Sequence, residues 1–297
     1  MVPTLVGAWV PNLTGRGEVV SVFSGAVNAL HPQGLIVSFV QGTRAMTSLS
    51  VCVPALFRNQ TKRLVPGDRV RFEGDRLATE DFIIDLLGRP TWQGVLTRKD
   101  VRGFGSSKVS LLREALFLKG SRGGFLGLLR RDEARNPFVD KAMEVLQAFR
   151  RAPSRAAGRR ALSGLVGLGP GSTPSGDDFI AGVLMAEEVM TLLRSTESKA
   201  VADGGEPVIR WSEGEEDLRV AMDSTNAAGK TLLWQALQGH FPNYLIETVR
   251  SISDAEGEQD IQDAVECAVG CGATSGTDAL VGFVFRFEGD LHGLSLG

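Results

Sequence analysis

The chain has 297 residues, a formal net charge of −3 and 43% hydrophobic residues, values typical of a globular protein with about two domains. This composition excludes a wholly disordered chain, and the small net charge gives no general attraction to nucleic acid or anionic membranes. We therefore expect neither as a partner.

No segment approaches the ~20 apolar residues of a membrane helix. Pro11 closes the short apolar run Leu5 to Val10, so no signal peptide is predicted and we expect a cytoplasmic protein. The three cysteines lack zinc spacing, and none of the three histidines neighbours a carboxylate at ligand spacing. The sequence therefore favours neither a zinc site nor a serine, histidine, aspartate triad.

Short apolar runs separated by turn residues fill the N-terminal third of the chain. Pro66-Gly67-Asp68 and Glu73-Gly74-Asp75 are turn signals on either side of one such run, a spacing typical of strand-rich units. Several runs are too apolar to alternate, so we expect a second layer to pack on them. A small β-rich domain is predicted over residues 1–96, with strand segments at Val19–Phe23, Leu35–Val40, Leu49–Phe57, Arg69–Phe72 and Phe82–Leu87.

Residues 97–108 are polar, basic and glycine-containing, and we interpret them as a linker between domains. Arg98, Lys99 and Arg102 can meet an anion, but clustered charge on a loop usually faces water. A solvated linker is therefore the favoured interpretation.

Residues 109–297 are predicted to form a mainly helical domain. Apolar residues recur three and four positions apart in Val109–Leu118 and in Pro137–Arg151, which indicates helices. Ser195–Glu216 is rich in serine, glycine and acidic residues and is interpreted as a surface excursion. The fold class predicted for the whole chain is α+β.

Gly229-Lys230-Thr231 resembles the end of a phosphate-binding P-loop. Ser224 stands where that motif requires glycine, and the preceding acidic segment is a poor buried strand. We therefore predict no nucleotide loop here.

Two glycine loops organise the helical part. The first, Gly167 to Leu184, reads GLGPGSTPSGDDFIAGVL, and the second, Gly272 to Val284, reads GATSGTDALVGFV. Their Ser-Gly pairs lie 100 residues apart, at Ser175 and Ser275, and this offset also aligns their aspartates and later glycines. A helix is predicted before and after each loop, so the pattern indicates a duplicated unit of helix, glycine loop and helix.

Each loop has a purely architectural interpretation. Ser175 with Asp178, and Ser275 with Asp278, have the spacing of a helix capping box. Carboxylates there also suit the positive end of the helix dipole. Gly182 and Gly282 would then mark close helix packing.

Other features indicate a ligand site. The first loop has more glycines than a cap needs, which bares backbone amides beside a helix N-terminus, where anions bind. Asp177 beside Asp178 also exceeds what a cap requires, because adjacent like charges repel unless a proton or a cation joins them. The candidate anion-binding residues are Gly169, Gly171, Ser172, Thr173, Ser175, Gly176, Ser275 and Gly276.

Three aspartates are the candidate catalytic residues: Asp177, Asp178 and Asp278. They can hold an amide or cationic donor of a substrate, transfer a proton or ligate a magnesium ion. Carboxylates that faced a phosphate directly would repel it. No cofactor is firmly predicted, and magnesium stays open.

The first loop resembles the signature of the bacterial AllH-type family, once loosely labelled as carboxylases. That signature, Gly-x-Gly-Pro-Gly-x-Thr-Pro-Ser-Gly-Asp-Asp-Phe, is matched from Gly167 to Phe179, although Ser172 replaces the usual leucine. The family's later Thr-Ser-Gly-x-Asp motif is matched from Thr274 to Asp278, and its N-terminal pattern resembles the segment that ends at Asn28.

The resemblance implies one subunit of a three-part oxamate carbamoyltransferase of purine (allantoin) catabolism. That enzyme interconverts oxalurate plus phosphate with oxamate plus carbamoyl phosphate, so a small anionic substrate and partner subunits in a hetero-oligomer are expected. The resemblance adds Thr274 and Asn28 to the substrate-binding residues.

A second hypothesis stays open, in which the chain is a non-catalytic anion-binding or assembly subunit and its loops are helix caps. The carboxylase label finds no support, since the sequence has no biotinyl-lysine context and no nucleotide loop.

Overall fold

The computed structural model describes residues 1–58, 64–129, 136–195 and 215–291. These residues form an α+β protein in which a strand-rich N-terminal part precedes a mainly helical part, which confirms the predicted fold class. The surface excursion predicted at Ser195–Glu216 lies almost wholly outside the described residues. In the described part of the chain, no helix combines the length and apolarity that crossing a membrane requires.

The structure divides into two compact units. One contains Met1–Val95 together with His240–Tyr244, and the other contains the described residues of Leu96–Val201, Ile209–Gly239 and Leu245–Gly297. The division predicted at residues 1–96, 97–108 and 109–297 stays a prediction.

A nine-stranded sheet forms the first unit. The strands are β1 (Leu5–Gly7), β2 (Thr14–Val22), β3 (Ala26–Leu30), β4 (Ile36–Val40), β5 (Ser50–Cys52), β6 (Arg69–Glu73), β7 (Arg76–Ala78), β8 (Ile83–Asp85) and β9 (Thr91–Trp92). Their spatial order is β8-β7-β6-β2-β3-β4-β5-β1-β9, with parallel pairing between β4 and β5 and between β1 and β9.

Side-chain alternation explains where these strands bury apolar residues. Strand β6 buries Val70 and Phe72 and exposes the charged residues between and around them, the two-residue period of a strand with one wet face. Strand β4 is buried along almost its whole length, as expected for a strand covered on both faces.

The predicted strand segment Leu49–Phe57 is wrong in its second half. The strand ends at Cys52, and Pro54 begins the short helix α1 (Pro54–Arg58). Proline lacks a backbone N–H for the ladder but fits a first helical turn.

Residues 97–108, which we interpreted as a linker, contain a short 3₁₀ helix at Arg98–Val101 and the start of helix α2 (Ser106–Lys119). Thr97 and Asp100 cap that 3₁₀ helix reciprocally. Arg98, Lys99 and Arg102 are exposed, whereas Val101 is buried.

The second unit is built of helices packed around two long, buried ones, α5 (Ser175–Arg194) and α10 (Ser275–Leu291). The long apolar runs after the two glycine loops produce this burial, since a helix apolar on all sides is stable only inside a protein. The helices are α2 (Ser106–Lys119), α3 (Pro137–Arg150), α4 (Arg155–Leu162), α5 (Ser175–Arg194), α6 (Glu215–Ala221), α7 (Ala227–Leu237), α8 (Asn243–Asp254), α9 (Glu258–Val269) and α10 (Ser275–Leu291).

Candidate functional site

Helices α5 and α10 cross where each has a glycine. A Cβ atom on Gly182 would lie 1.8 Å from the carbonyl oxygen of Ala279, and one on Gly282 would lie 2.1 Å from that of Phe179. These two contacts are equivalent under the 100-residue offset of the loops. The crossing brings the N-terminal ends of both helices, and hence both loops, to one place in the helical unit.

Hydroxyl groups join the two loops. The Oγ1 of Thr173, in the first loop, lies 2.9 Å from the Oγ of Ser275, in the second, and also donates to Oδ2 of Asp178 at 3.1 Å. Ser172, one residue earlier, is exposed. The two loops therefore form one polar cluster, which we call the loop cluster: Thr173, Ser175, Asp178, Thr274, Ser275 and Asp278.

The capping-box interpretation of the first loop is wrong. Pro174 occupies the N-cap of α5, and no side chain caps this helix. The amides of Asp177 and Asp178 donate instead to the Pro174 carbonyl, at 2.9 and 3.2 Å. Capping therefore does not account for Ser175 or for the carboxyl group of Asp178.

Asp178 and Asp278 are buried together in the loop cluster, with 1% and 0% of their surface exposed. Burial, reinforced by the charge of Asp278, raises the pKa of Asp178 well above its ordinary value. Burial also raises the pKa of Asp278 to about 6, against the opposing effect of a 2.6 Å hydrogen bond from the Phe125 amide to its Oδ1. Such a pair can hold a proton near neutral pH.

Asp177 has different surroundings. Its carboxylate accepts the Gly167 amide at 2.8 Å and the hydroxyl of Thr225. A Cβ atom on Gly229 would lie 2.0 Å from its Oδ2. Burial raises the pKa of Asp177, but both of its oxygens have protein donors, so its contacts fix the first loop against the start of α7.

A third segment, Gly120 to Phe125, lines the loop cluster and was not predicted. A Cβ atom on Gly124 would lie 2.3 Å from Oδ1 of Asp278, and the Ser121 amide donates to Thr277 Oγ1 at 2.9 Å. The Gly123-Gly124 pair was the available sequence signal, but nothing in the sequence relates it to loops so far away along the chain.

The predicted glycines have separate structural roles. Gly169 and Gly171 have φ values of +107° and +114°, a conformation that favours glycine. Gly176 and Gly276 are packing positions, where a Cβ atom would lie 1.9 and 2.0 Å from backbone carbonyl oxygens. Their amides donate to the carbonyls of Leu168 and Cys271, so neither amide is available to a ligand in this conformation.

The remaining predicted residues divide between the two units. Thr274 lies close to Asp278 and lowers the pKa of its carboxyl group. Asn28 lies on β3 of the strand-rich unit, where it donates to Ser21 Oγ at 3.1 Å and accepts from Ser38 Oγ at 2.8 Å. Asn28 thus belongs to a different unit from the loop cluster, and its place in the substrate site stays a prediction.

Two further sequence interpretations concern metals and nucleotides. Within the described ranges, no group of three or more histidine, cysteine, aspartate and glutamate side chains is arranged to hold a metal ion. Gly229-Lys230-Thr231 lies within α7, whose N-cap Asn226 accepts the amides of Ala228 and Gly229. No strand leads into this helix in the described chain, unlike in a P-loop.

Fold and site together define an α+β protein whose helical unit buries two aspartates between duplicated glycine loops. Residues 165–287, which contain both loops, match the model of the AllH family, described as oxamate carbamoyltransferase subunit AllH. This match supports the AllH-type family indicated by the sequence and, by its description, a carbamoyltransferase-associated subunit. A search of curated proteins and a search of solved structures each found no match.

Proposed function

We propose that this chain is a subunit of a carbamoyltransferase-type enzyme and binds a small carboxylate or phosphate, of the oxamate or oxalurate type, at the loop cluster. The observation that carries the proposal is the burial of Asp178 and Asp278 together where α5 and α10 begin. Buried acids without a cationic partner are costly. A functional site is a common place for such groups.

The loop cluster can bind an anion when one of its two buried aspartates is protonated. Two helix N-termini provide positive potential, and each favours negative charge nearby. Two ionised aspartates in the loop cluster would repel an anionic ligand and so oppose this attraction. Because the pKa values of Asp178 and Asp278 are raised, a protonated carboxyl group can instead donate a hydrogen bond to the ligand's oxygen.

The same groups fit the proton transfers of carbamoyl transfer. A carboxyl group with a pKa near the working pH is well suited to give or take a proton at an amide nitrogen. Thr173 and Ser275 add hydroxyl groups that can orient the ligand. We assign proton transfer to Asp178 and Asp278 and positioning of the first loop to Asp177. The binding test is run with and without magnesium, which shows whether the ligand needs this ion.

Thermal unfolding of the purified chain tests the ligand site. We expect phosphate, oxamate, oxalurate or carbamoyl phosphate, with or without magnesium, to raise the melting temperature, because a ligand at 100 times its Kd stabilises the native state by about 2.7 kcal/mol. Asp178→Asn should abolish this rise. Asp254→Asn, the same change at an exposed residue of α8, should preserve it, and an undiminished rise in Asp178→Asn would refute the site.

A non-catalytic assembly role is the second candidate, favoured by the subunit description of the matched family and by the occupied amides of Gly176 and Gly276. Turnover of the complex reconstituted with its partner subunits separates the two roles. Loss of turnover in Asp178→Asn, with assembly intact, supports catalysis in this chain. Full turnover in that variant assigns the chemistry to the partners.

A further inference from the structure

Two buried polar atoms in the loop cluster have no hydrogen-bond partner in the described part of the chain: Ser175 Oγ and Asp278 Oδ2. Their residues are 1% and 0% exposed. A buried polar group without a partner costs free energy, and such groups are few in native proteins. Two of them together in one cluster point to a ligand that supplies the missing bonds.

The two atoms belong to neighbouring residues at the starts of the two long helices. Ser175 is the first residue of α5 and Asp278 lies in the first turn of α10. Ser175 is close enough to Asp278 to lower the pKa of that carboxyl group, but its hydroxyl is not in hydrogen-bonding geometry with any described residue. A small polar group of a ligand can therefore contact both.

The third segment holds the Asp278 carboxylate in this orientation. The Phe125 amide donates to Oδ1 at 2.6 Å. A Cβ atom on Gly124 would lie 2.3 Å from Oδ1 and 2.5 Å from Oδ2, so only glycine permits this approach. Oδ1 thus has a protein donor, and Oδ2 is the oxygen left for a ligand.

Complementary chemistry identifies the group that fits. An ionised carboxylate oxygen only accepts hydrogen bonds, whereas a serine hydroxyl both donates and accepts. A primary amide places an N–H donor beside a carbonyl acceptor. A carboxylate of the same shape has no hydrogen to offer Oδ2 and would repel it.

We propose that Ser175 and Asp278 form an amide subsite, in which Oδ2 of Asp278 accepts the N–H of the ligand's primary amide and Ser175 donates to its carbonyl oxygen. These residues then determine specificity for an amide over a carboxylate at that end of the ligand. Gly124 and Phe125 are positioning residues. This inference rests on the proposed ligand site.

Oxamate and oxalate test the subsite, because they differ by an amide in place of one carboxylate. At about pH 8, where Asp278 is ionised, titration calorimetry should show oxamate binding at least about tenfold more tightly than oxalate, since a site built to accept an N–H discriminates against a ligand without one. Asp278→Asn places a donor where the acceptor was and should remove or invert the preference. Ser175→Ala should weaken oxamate more than oxalate.

The outcomes of this experiment distinguish failure of the amide subsite from failure of the proposed ligand site. If neither oxamate nor oxalate binds while phosphate still raises the melting temperature, the amide subsite is overturned and the anion site stands. If no anion of the set binds, the proposed site itself is overturned. Equal binding of both, unchanged in Ser175→Ala, overturns the amide subsite while the ligand site stands. Asp254→Asn is the matched control for Asp278→Asn, and circular dichroism checks folding; if Asp278→Asn does not fold, the Ser175→Ala comparison decides alone.

Discussion

Ser154 and Ser175 both lie at the start of a helix, but their hydroxyl groups differ in hydrogen bonding. Ser154 is the N-cap of α4 and accepts the Ala157 amide at 3.2 Å, whereas Ser175 begins α5 and its hydroxyl has no partner among the described residues. Truncating a cap serine costs about 1 kcal/mol. Removing a buried hydroxyl that makes no bond costs little, because no hydrogen bond is lost.

We therefore expect Ser154→Ala to lower the free energy of unfolding by about 1 kcal/mol and Ser175→Ala to leave it unchanged or raise it. Urea unfolding of the ligand-free chain measures both. Destabilisation by Ser175→Ala equal to that of Ser154→Ala would show that Ser175 has a structural bond and would argue against its role in the amide subsite.

The sequence singled out Asp177, Asp178 and Asp278 as site candidates, because the adjacent pair Asp177-Asp178 exceeds what a helix cap requires and the second loop repeats the aspartate. It could not predict that Asp177 is held by Gly167 and Thr225 while Asp178 faces Asp278. Those partners depend on helix packing. A capping spacing also does not reveal which residue becomes the N-cap, and Pro174 takes that position in α5.

At the scale of elements, the crossing of α5 and α10 depends on two glycines that allow the helix backbones to touch. Gly→Ala gains up to about 1 kcal/mol of helix propensity at an open site. Here the added Cβ would lie 1.8 Å or 2.1 Å from a carbonyl oxygen of the other helix. The helices must separate to admit it, and the loop cluster at their N-terminal ends must change with them.

We expect Gly182→Ala and Gly282→Ala each to destabilise the chain by at least about 2 kcal/mol, as overpacked cores do, and to weaken ligand binding. Gly42→Ala is the control, since Gly42 has a φ of −140° and no atom within 4 Å of an added Cβ. Thermal unfolding and the anion-induced shift measure both effects. Wild-type stability in both helix variants would mean that the helices do not approach this closely.

Helices with a strong period were predictable, whereas several strands, among them β1, β7 and β9, were not. The three-and-four spacing located α2 and α3, and the repeat located the starts of α5 and α10. Strands β1, β7 and β9 have only two or three residues, too few for a period to show. They are held by neighbouring strands, which a local pattern does not contain.

The two units of the whole molecule bury titratable groups with opposite pKa shifts. In the strand-rich unit, burial lowers the pKa of His240 to about 4; its Nδ1 lies 2.7 Å from Ser48 Oγ. In the helical unit, burial raises the pKa of Asp278 to about 6. The sequence did not predict that His240 belongs to the strand-rich unit. The five residues from His240 to Tyr244 are far from that unit along the chain and join it only through packing.

These shifts predict opposite responses to acid. The folded pKa of His240 is below its ordinary value of 6.5, so its contribution to stability is present above pH 6.5 and is lost as pH falls toward about 4. The folded pKa of Asp278 is above its ordinary value of 3.8, so its contribution is present below pH 3.8 and is lost as pH rises toward about 6. Acidification from about pH 7 to 5 should weaken the strand-rich unit and strengthen the helical unit, each by on the order of 1–2 kcal/mol.

Amide hydrogen exchange measures the two units separately, because peptides from each report their own opening free energy once the intrinsic effect of pH on exchange is divided out. We expect protection in β4 and β5 to fall and protection in α5 and α10 to rise on acidification. His240→Gln should flatten the first response and Asp278→Asn should reduce the second, because each variant removes a group whose proton uptake differs between folded and unfolded states. Asp177 and Asp178, whose pKa values are also raised, keep part of the second response. If both units instead lose protection equally, and neither variant changes the slope, they unfold as one body whose pH dependence comes from other groups.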